Sequence, residues 1–378
     1  MQSKAIINAL RYGTPPAESS WQSFGRENEI RAFNTQLALI KDGASAVKLM
    51  LGDFGTGKSE LISTLKRHAL EKDYVIATLQ IQDGFRFNKI NDFYYAIMHN
   101  LSVKHHATGK ASFNDLFEIW LNNLQHSPFP NQNRFEINAV CQALSQYNMN
   151  FARAFLSFMR ARIQKNPEMQ QVTTAWLTGE RQIPYALKQK YGLTGFVDKT
   201  NTLDFLSAFC KLLTLLDYKG LVVFIDELDL IMDYRSDLRN AAFQNLKQLI
   251  DLGDLQHALF YFSGSKSLIE DADKGILSLP SLAQRLNYTN PAAFDGTNLT
   301  QPISCLTPLS SDQLKSLGIK IASIYREAYA DNVSIDNTRM LHTIDSLVTA
   351  ANTRQFVTSL IAHLDTCHHE DDAQMPSS

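Results

Sequence analysis

The chain has 378 residues, 44% of them hydrophobic and 20% charged, with a formal net charge of −2. That is the composition of a soluble globular protein, long enough for one large α/β domain with an appendage or for two domains. The balance argues against a broad nucleic-acid-binding surface, though not a local one. No apolar run approaches the roughly 18 residues of a membrane span. Cys141, Cys210, Cys305 and Cys367 fit no zinc spacing and read as reduced thiols. Residues 1–10 lack the apolar segment of a secretory signal, so a cytoplasmic location is expected.

A short helix is expected over 5–11, ended by Gly13 and Pro15-Pro16. Phe24-Gly-Arg-Glu-Asn-Glu-Ile30 then opens a helix running to about 41. Val47 to Leu51, interrupted only by Lys48, reads as a buried strand. It leads into Gly52-Asp-Phe-Gly-Thr-Gly-Lys-Ser59, the spacing of a phosphate-binding loop, and a helical pattern with Leu61, Ile62, Leu65 and Ala69 on one face leads out. Glycines at 52, 55 and 57 let Asp53, Phe54 and Thr56 bend so that several backbone N–H groups point at one phosphate chain, and the helix N-terminus adds its positive end. Lys58 would reach the β- and γ-phosphates, and Ser59 would complete a Mg²⁺ shell. Upstream, the backbone near Gly25 and Arg26 could wrap over an adenine, with Tyr12, Pro16 and Phe24 as apolar contacts.

A second strand is expected over 74–82. From about 88 to 219 the texture is helical, with stretches at 93–101, 113–124, 134–159 and 203–216. His105-His106 and Cys367-His368-His369 have no further ligands at a metal spacing and read as incidental.

Leu221-Val-Val-Phe-Ile-Asp-Glu227 describes a strand buried on both faces and ending in two acids, where ligands sit in open α/β sheets. With a phosphate loop upstream this reads as a Walker B element. Asp226 would hold Mg²⁺ and Glu227 would polarise the attacking water, with Asp229 in support. A helix from Ser236 leads to a strand over 258–262, whose tip offers Ser263 or Ser265 to the γ-phosphate. Arg285 follows a short helix and could serve as a transition-state finger. A fifth short strand is expected over 303–306. Ser310-x-x-Gln313 then caps a helix to about 330, and two more helices, 337–350 and 353–364, complete a lid bundle with Arg354 at the start of the last.

A glutamate directly after the Walker B aspartate, with a strand between the two motifs, favours the ATPase branch with an additional strand. Asn88-Lys-Ile-Asn91 lacks the aspartate of a GTPase base-reading motif. The chain resembles AAA+ ATPases of the initiator type. More closely, it resembles the BREX (bacteriophage exclusion) system ATP-binding protein family. Ala9-Leu-Arg-Tyr-Gly-Thr-Pro-Pro16, Gly25-Arg-Glu-Asn-Glu29, the two Walker stretches, Ala175-Trp-Leu-Thr-Gly-Glu180, Thr307-Pro-Leu309 and Thr353-Arg-Gln-Phe356 carry this resemblance. It implies an α/β AAA+ (ASCE) P-loop NTPase with a five-stranded parallel sheet, a long helical insertion and a C-terminal helical lid. The expected division is 1–306 for the nucleotide-binding domain, 307–366 for the lid and 367–378 for a flexible tail. By the same resemblance Ser263 or Ser265 would be sensor 1, Arg285 the arginine finger and Arg354 sensor 2, with ATP and Mg²⁺ as ligands.

The resemblance further implies a prokaryotic oligomeric ATPase of an antiphage system, remodelling or loading partners (helicase, methyltransferase or nuclease) on DNA. Two alternatives stay open: a nucleotide-dependent binding module with little turnover, and an initiator-like loader touching DNA itself. The latter would use Arg153, Arg160, Arg162 and Lys165.

Overall fold

The computed structural model describes residues 2–16, 21, 23–81, 85–104, 111–125, 130–251, 253, 255–329, 337–348 and 352–374. His105 and His106 lie outside them. The chain runs α1 (Gln2–Arg11), α2 (Glu27–Lys41), β1 (Ser45–Leu51), α3 (Lys58–Glu71), β2 (Val75–Gln80), α4 (Ile90–His99) and β3 (Leu101–Ser102). The insertion continues through α5 (Glu118–Gln125), α6 (Pro130–Ser145), α7 (Met149–Ile163), α8 (Pro167–Leu177), α9 (Tyr185–Lys190) and α10 (Thr202–Leu215). Then come β4 (Leu221–Asp226), α11 (Ser236–Asp251), β5 (Ala258–Gly264), α12 (Ser267–Glu270), α13 (Pro280–Arg285) and β6 (Ile303–Cys305). The chain ends in α14 (Ser311–Ala328), α15 (Asn337–Leu347) and α16 (Thr353–Gln374).

The strands form one sheet in the order β3-β2-β4-β5-β1-β6. Five run parallel, as expected, and β5 stands between the phosphate-loop strand β1 and the acid-ending strand β4. The sixth, β3, is an antiparallel edge addition where the sequence suggested the end of a helix. A two-residue strand carries no periodic signal of its own; its neighbour β2 makes it one. The helix expected over 134–159 is broken in two. Asn148 caps α7 by accepting from the Phe151 backbone N–H at 2.9 Å, so the chain turns there instead of continuing.

Alternation along the strands divides the core between two faces. Val222, Phe224, Leu259 and Tyr261 face α2 and α3, where Phe33, Leu37, Leu61 and Leu65 cover them. Val223, Ile225, Phe260 and Phe262 face the insertion and share one continuous core with Phe93, Phe117, Phe158 and Phe205. The Phe93 ring lies tilted against Phe260 at 5.9 Å and Phe87 meets Phe262 edge to face at 5.6 Å, so the insertion is fastened to the sheet by aromatic contacts. Lys48, the polar interruption in β1, is 3% exposed. Its ammonium donates to the carbonyls of Leu299 at 2.9 Å and Gln301 at 2.5 Å.

The lid corrects the expected boundaries at both ends. Helix α1 belongs to it: Ile6, Ile7 and Leu10 share a core with Leu314, Leu317, Ile321, Phe356 and Leu360. Arg11 grips Asp365 with two bonds of 2.8 Å, and the Tyr325 hydroxyl donates to the same carboxylate at 2.8 Å. A short amphipathic helix does not announce which distant surface it covers. Beyond 366 the chain continues as helix through Gln374 where a flexible tail was expected. Among the described residues, no helix is long and apolar enough to cross a membrane.

Candidate active site

The glycine-rich loop joins β1 to α3, and Gly57 at the start of α3 has φ +95°. Lys58 folds back over the loop, donating to the carbonyls of Gly52 at 2.6 Å and Asp53 at 3.1 Å. Burial pulls its pKa down, while Asp229, Asp226 and Asp53 oppose the shift. Arg26 braces the loop. It is 4% exposed, donates to the Thr56 carbonyl at 2.8 Å and pairs with Glu29 at 3.3 Å. Burial lowers its pKa and Glu29 opposes that. Arg26 therefore acts on the shape of the loop as well as lining the cavity above it.

The parallel register pairs Ile225 with Phe262, which sets Asp226 beside Ser263. The Ser263 hydroxyl donates to Asp226 Oδ1, and the Glu227 backbone N–H donates to the same oxygen at 3.0 Å. Glu227 has φ +63° and ψ 41°, a left-handed conformation that is strained for a residue with a side chain. Two residues further round the turn, Asp229 Oδ1 accepts from the Ser265 backbone N–H at 2.9 Å.

Between the loop, the β4–β5 tips and the lid lies a cavity of about 440 Å³. Phe54, Gly55, Thr56, Gly57, Lys58, Ser59, Asp226, Glu227, Asp229 and Ser265 line its polar end. Leu10, Trp21, Phe24, Leu309, Leu317 and Val357 line the rest, with Glu60 among them. The lid closes on the loop at close range. The Arg354 backbone N–H donates to the Gly55 carbonyl at 3.3 Å, and the guanidinium lies 5.5 Å from the centre of the Phe54 ring. A Cβ on Gly55 would meet Asn352 Oδ1 at 2.5 Å, and one on Gly13 would meet Arg354 Nε at 2.6 Å. Both glycines have positive φ, a conformation that favours glycine at each position. The Thr353 hydroxyl oxygen is buried at this cavity without a hydrogen-bond partner among the described residues.

Most of the residues singled out from sequence meet here, but not all. Tyr12 is 67% exposed and contributes only its carbonyl, which accepts from Arg354 at 3.4 Å. Pro16 and Gly25 do not line the cavity; Pro15 does, and the Gly25 carbonyl accepts from Gln313 at 3.3 Å. Ser263 lies beneath the cavity as a support for Asp226, whereas Ser265 lines it. Gly52 and Asp53 serve through the carbonyls that hold Lys58. Arg285 does not reach the cavity, and its Nε pairs with Asp251 at 2.5 Å. Missed from sequence were Leu10, Trp21, Glu60, Leu317, Thr353 and Val357. Only the lid's closure brings most of these to the site, and no local pattern encodes it.

Ser59 and Asp226 both line the polar end, and a hydroxyl with a carboxylate is the hard-oxygen donor set that Mg²⁺ takes alongside phosphate and water. Among the described residues no cluster of three His, Cys, Asp or Glu could hold a metal without such help. Cys367 instead lies 3.6 Å from His363, and His368 packs against Tyr329.

The family model for the BREX system ATP-binding protein BrxC/D matches residues 1–378. The chain belongs to this family. Membership makes it an ATP-binding protein of a phage-exclusion system. Among solved structures it is similar to the Walker-type ATPase PABY2304 of Pyrococcus abyssi, at 12% identity and a TM-score of 0.40 over 95% of this chain and 74% of that one. It is also similar to domain III of the Thermotoga maritima replication initiation protein DnaA. There the identity is 10% and the TM-score 0.38, over 93% of this chain and 88% of that one. No curated protein matches.

Proposed function

We propose that the chain binds Mg-ATP in this cavity and hydrolyses it, as an oligomeric AAA+ ATPase that remodels or loads defence partners on DNA. The observation that carries hydrolysis is the strained Glu227, which lines the same cavity as Lys58 and Ser59. Its carboxylate would take a proton from water as the water oxygen bonds to the γ-phosphorus and the bond to the β-γ bridging oxygen breaks. Lys58 would swing from the Gly52 and Asp53 carbonyls to the β- and γ-phosphates, exchanging two neutral acceptors for anionic ones. Bound Mg²⁺ at Ser59 and Asp226 would neutralise phosphate charge. Glu227→Gln should keep Mg-ATP binding, read by thermal shift, and lose turnover by roughly 10²–10⁴-fold. Wild-type turnover in that variant would remove Glu227 as the base.

One observation favours the slower binding module for the isolated chain. Arg285, the finger candidate, is held by Asp251 away from its own cavity. Turnover should therefore rise with protein concentration as a neighbour supplies the finger. For DNA contact, Arg153 and Arg160 stand exposed on α7, with Lys165 just beyond it. Reversing the charge of Arg153, Arg160 and Arg162 together should weaken DNA binding and flatten its salt dependence. Absence of wild-type DNA binding at low salt with ATP would leave DNA contact to partners.

A further inference from the structure

We propose that Glu60 reads the exocyclic amino group of adenine and so sets the preference of this site for ATP over GTP. The inference rests on the cavity being the nucleotide site. Glu60 follows Ser59 on the first turn of α3. The other carboxylates lining the cavity, Asp226, Glu227 and Asp229, gather around Lys58 and the β4–β5 tips. Glu60 is the one bonded to Trp21, which shares a core with the cavity-lining Leu10, Leu309, Leu317 and Val357.

Its orientation is fixed. Oε1 accepts from the Trp21 indole N–H at 2.6 Å, and Trp21 is itself 3% exposed in the lid core. The Lys320 ammonium of α14 sits over the Trp21 ring, 5.1 Å from its centre. Two neighbouring donors are engaged elsewhere: the Ser23 backbone N–H donates to Thr64 Oγ1 at 3.1 Å, and Arg67 donates to the same oxygen at 3.2 Å. Among the described residues Trp21 is the one hydrogen-bond donor to Glu60, so the second carboxylate oxygen still has acceptor capacity. Burial raises the Glu60 pKa, while the Trp21 bond and the charges of Arg67 and Lys320 oppose that rise.

An acceptor in apolar surroundings selects strongly for a donor, because the wrong partner leaves it desolvated and unpaired. At the six-position adenine offers N–H donors and guanine an acceptor oxygen. One free carboxylate oxygen matches a single amino edge. The paired N1–H and N2–H edge of guanine calls for two oxygens, and the second is spent on Trp21.

The test is Glu60→Gln, which preserves the Trp21 bond. Its amide oxygen takes over the indole N–H, and its NH₂ is turned toward the base, replacing an acceptor with a donor. Calorimetric binding of Mg-ATP, Mg-GTP and the Mg complex of purine riboside triphosphate, which lacks the six-amino group, is measured on both proteins, with Mg-dATP as a ribose control. Wild type should prefer ATP to both others by roughly ten- to a hundred-fold, and E60Q should lose that preference while binding purine riboside triphosphate within about twofold of wild type. Equal wild-type affinity for ATP and purine riboside triphosphate overturns the proposal without any variant. An equal loss for all three nucleotides in E60Q makes Glu60 an anchor for Trp21 and also overturns it. Discrimination against dATP that vanishes in E60Q, with base preference intact, moves the contact to the ribose and overturns it too. A wild type that binds no nucleotide overturns the cavity reading and this one together; ATP binding with unchanged ratios in E60Q overturns this one alone.

Discussion

Ser263 and Asp226 meet across the seam between β4 and β5, the serine hydroxyl donating to the oxygen that also accepts from the Glu227 N–H. Two donors on one oxygen fix the carboxylate plane. Ser263→Ala should free it to rotate and weaken the Mg²⁺-dependent part of ATP binding by roughly two- to ten-fold, the worth of one such bond. The Ser265 hydroxyl bonds instead to Ser267, so Ser265→Ala should leave the metal dependence nearly unchanged. Nucleotide binding titrated against Mg²⁺ compares the two, and equal effects would remove the distinction.

Arg285 and Lys58 offer a complementation test. Arg285→Ala should bind ATP nearly normally and hydrolyse it poorly, since a finger arginine can supply roughly 10³–10⁵ in rate. Mixing it with Lys58→Ala should restore some turnover, because a mixed interface pairs a sound loop with a sound finger. Asp251→Asn should raise turnover at concentrations where the protein assembles, by releasing Arg285 for a neighbour's site. No recovery in the mixture, with subunit exchange shown separately, would sink the shared site.

Lys48 gives a pH signature. Burial pushes its pKa down from 10.5 to about 8. Between those values the unfolded chain holds a proton that the folded chain has released, so stability from this group rises with pH across that window. Below about 8 both states are protonated, and the burial penalty stands in full. The melting temperature of wild type relative to Lys48→Met should therefore climb from pH 7 to pH 10. A flat difference would mean that the two carbonyls hold the ammonium charged throughout.

Arg11→Met removes the grip on Asp365 while keeping the length of the side chain. The loss should be about 1 kcal/mol of stability, modest because both groups are part-exposed. ATP affinity should fall as well, since Leu10 and Gly13 line the cavity just beside this grip. A normal affinity with a lowered melting temperature would show that α1 steadies the lid without shaping the site.

What could be read beforehand follows from the range of the interactions. The phosphate loop and the acid-ending strand were legible because their chemistry is local: a glycine spacing, an apolar run, two acids. The Ser310–Gln313 capping box was legible for the same reason, and both of its bonds are present. The apolar half of the cavity was not. Trp21 meets Glu60 only after α3 has docked on the sheet, and Leu10 meets Val357 only after α1 has joined α16. The choice between Ser263 and Ser265 needed the register of β4 against β5, which neither strand specifies alone.

The pairing of α1 with α14 and α16 also governs the order of events during synthesis. A helix of 10 residues is marginal in water on its own. While the ribosome is still making the sheet and the insertion, Ile6, Ile7 and Leu10 have nothing to cover them. The nascent chain can complete its Walker strands long before it can complete the wall against which a base would rest. On the proposed function, productive nucleotide capture should wait until residues beyond Thr353 have emerged.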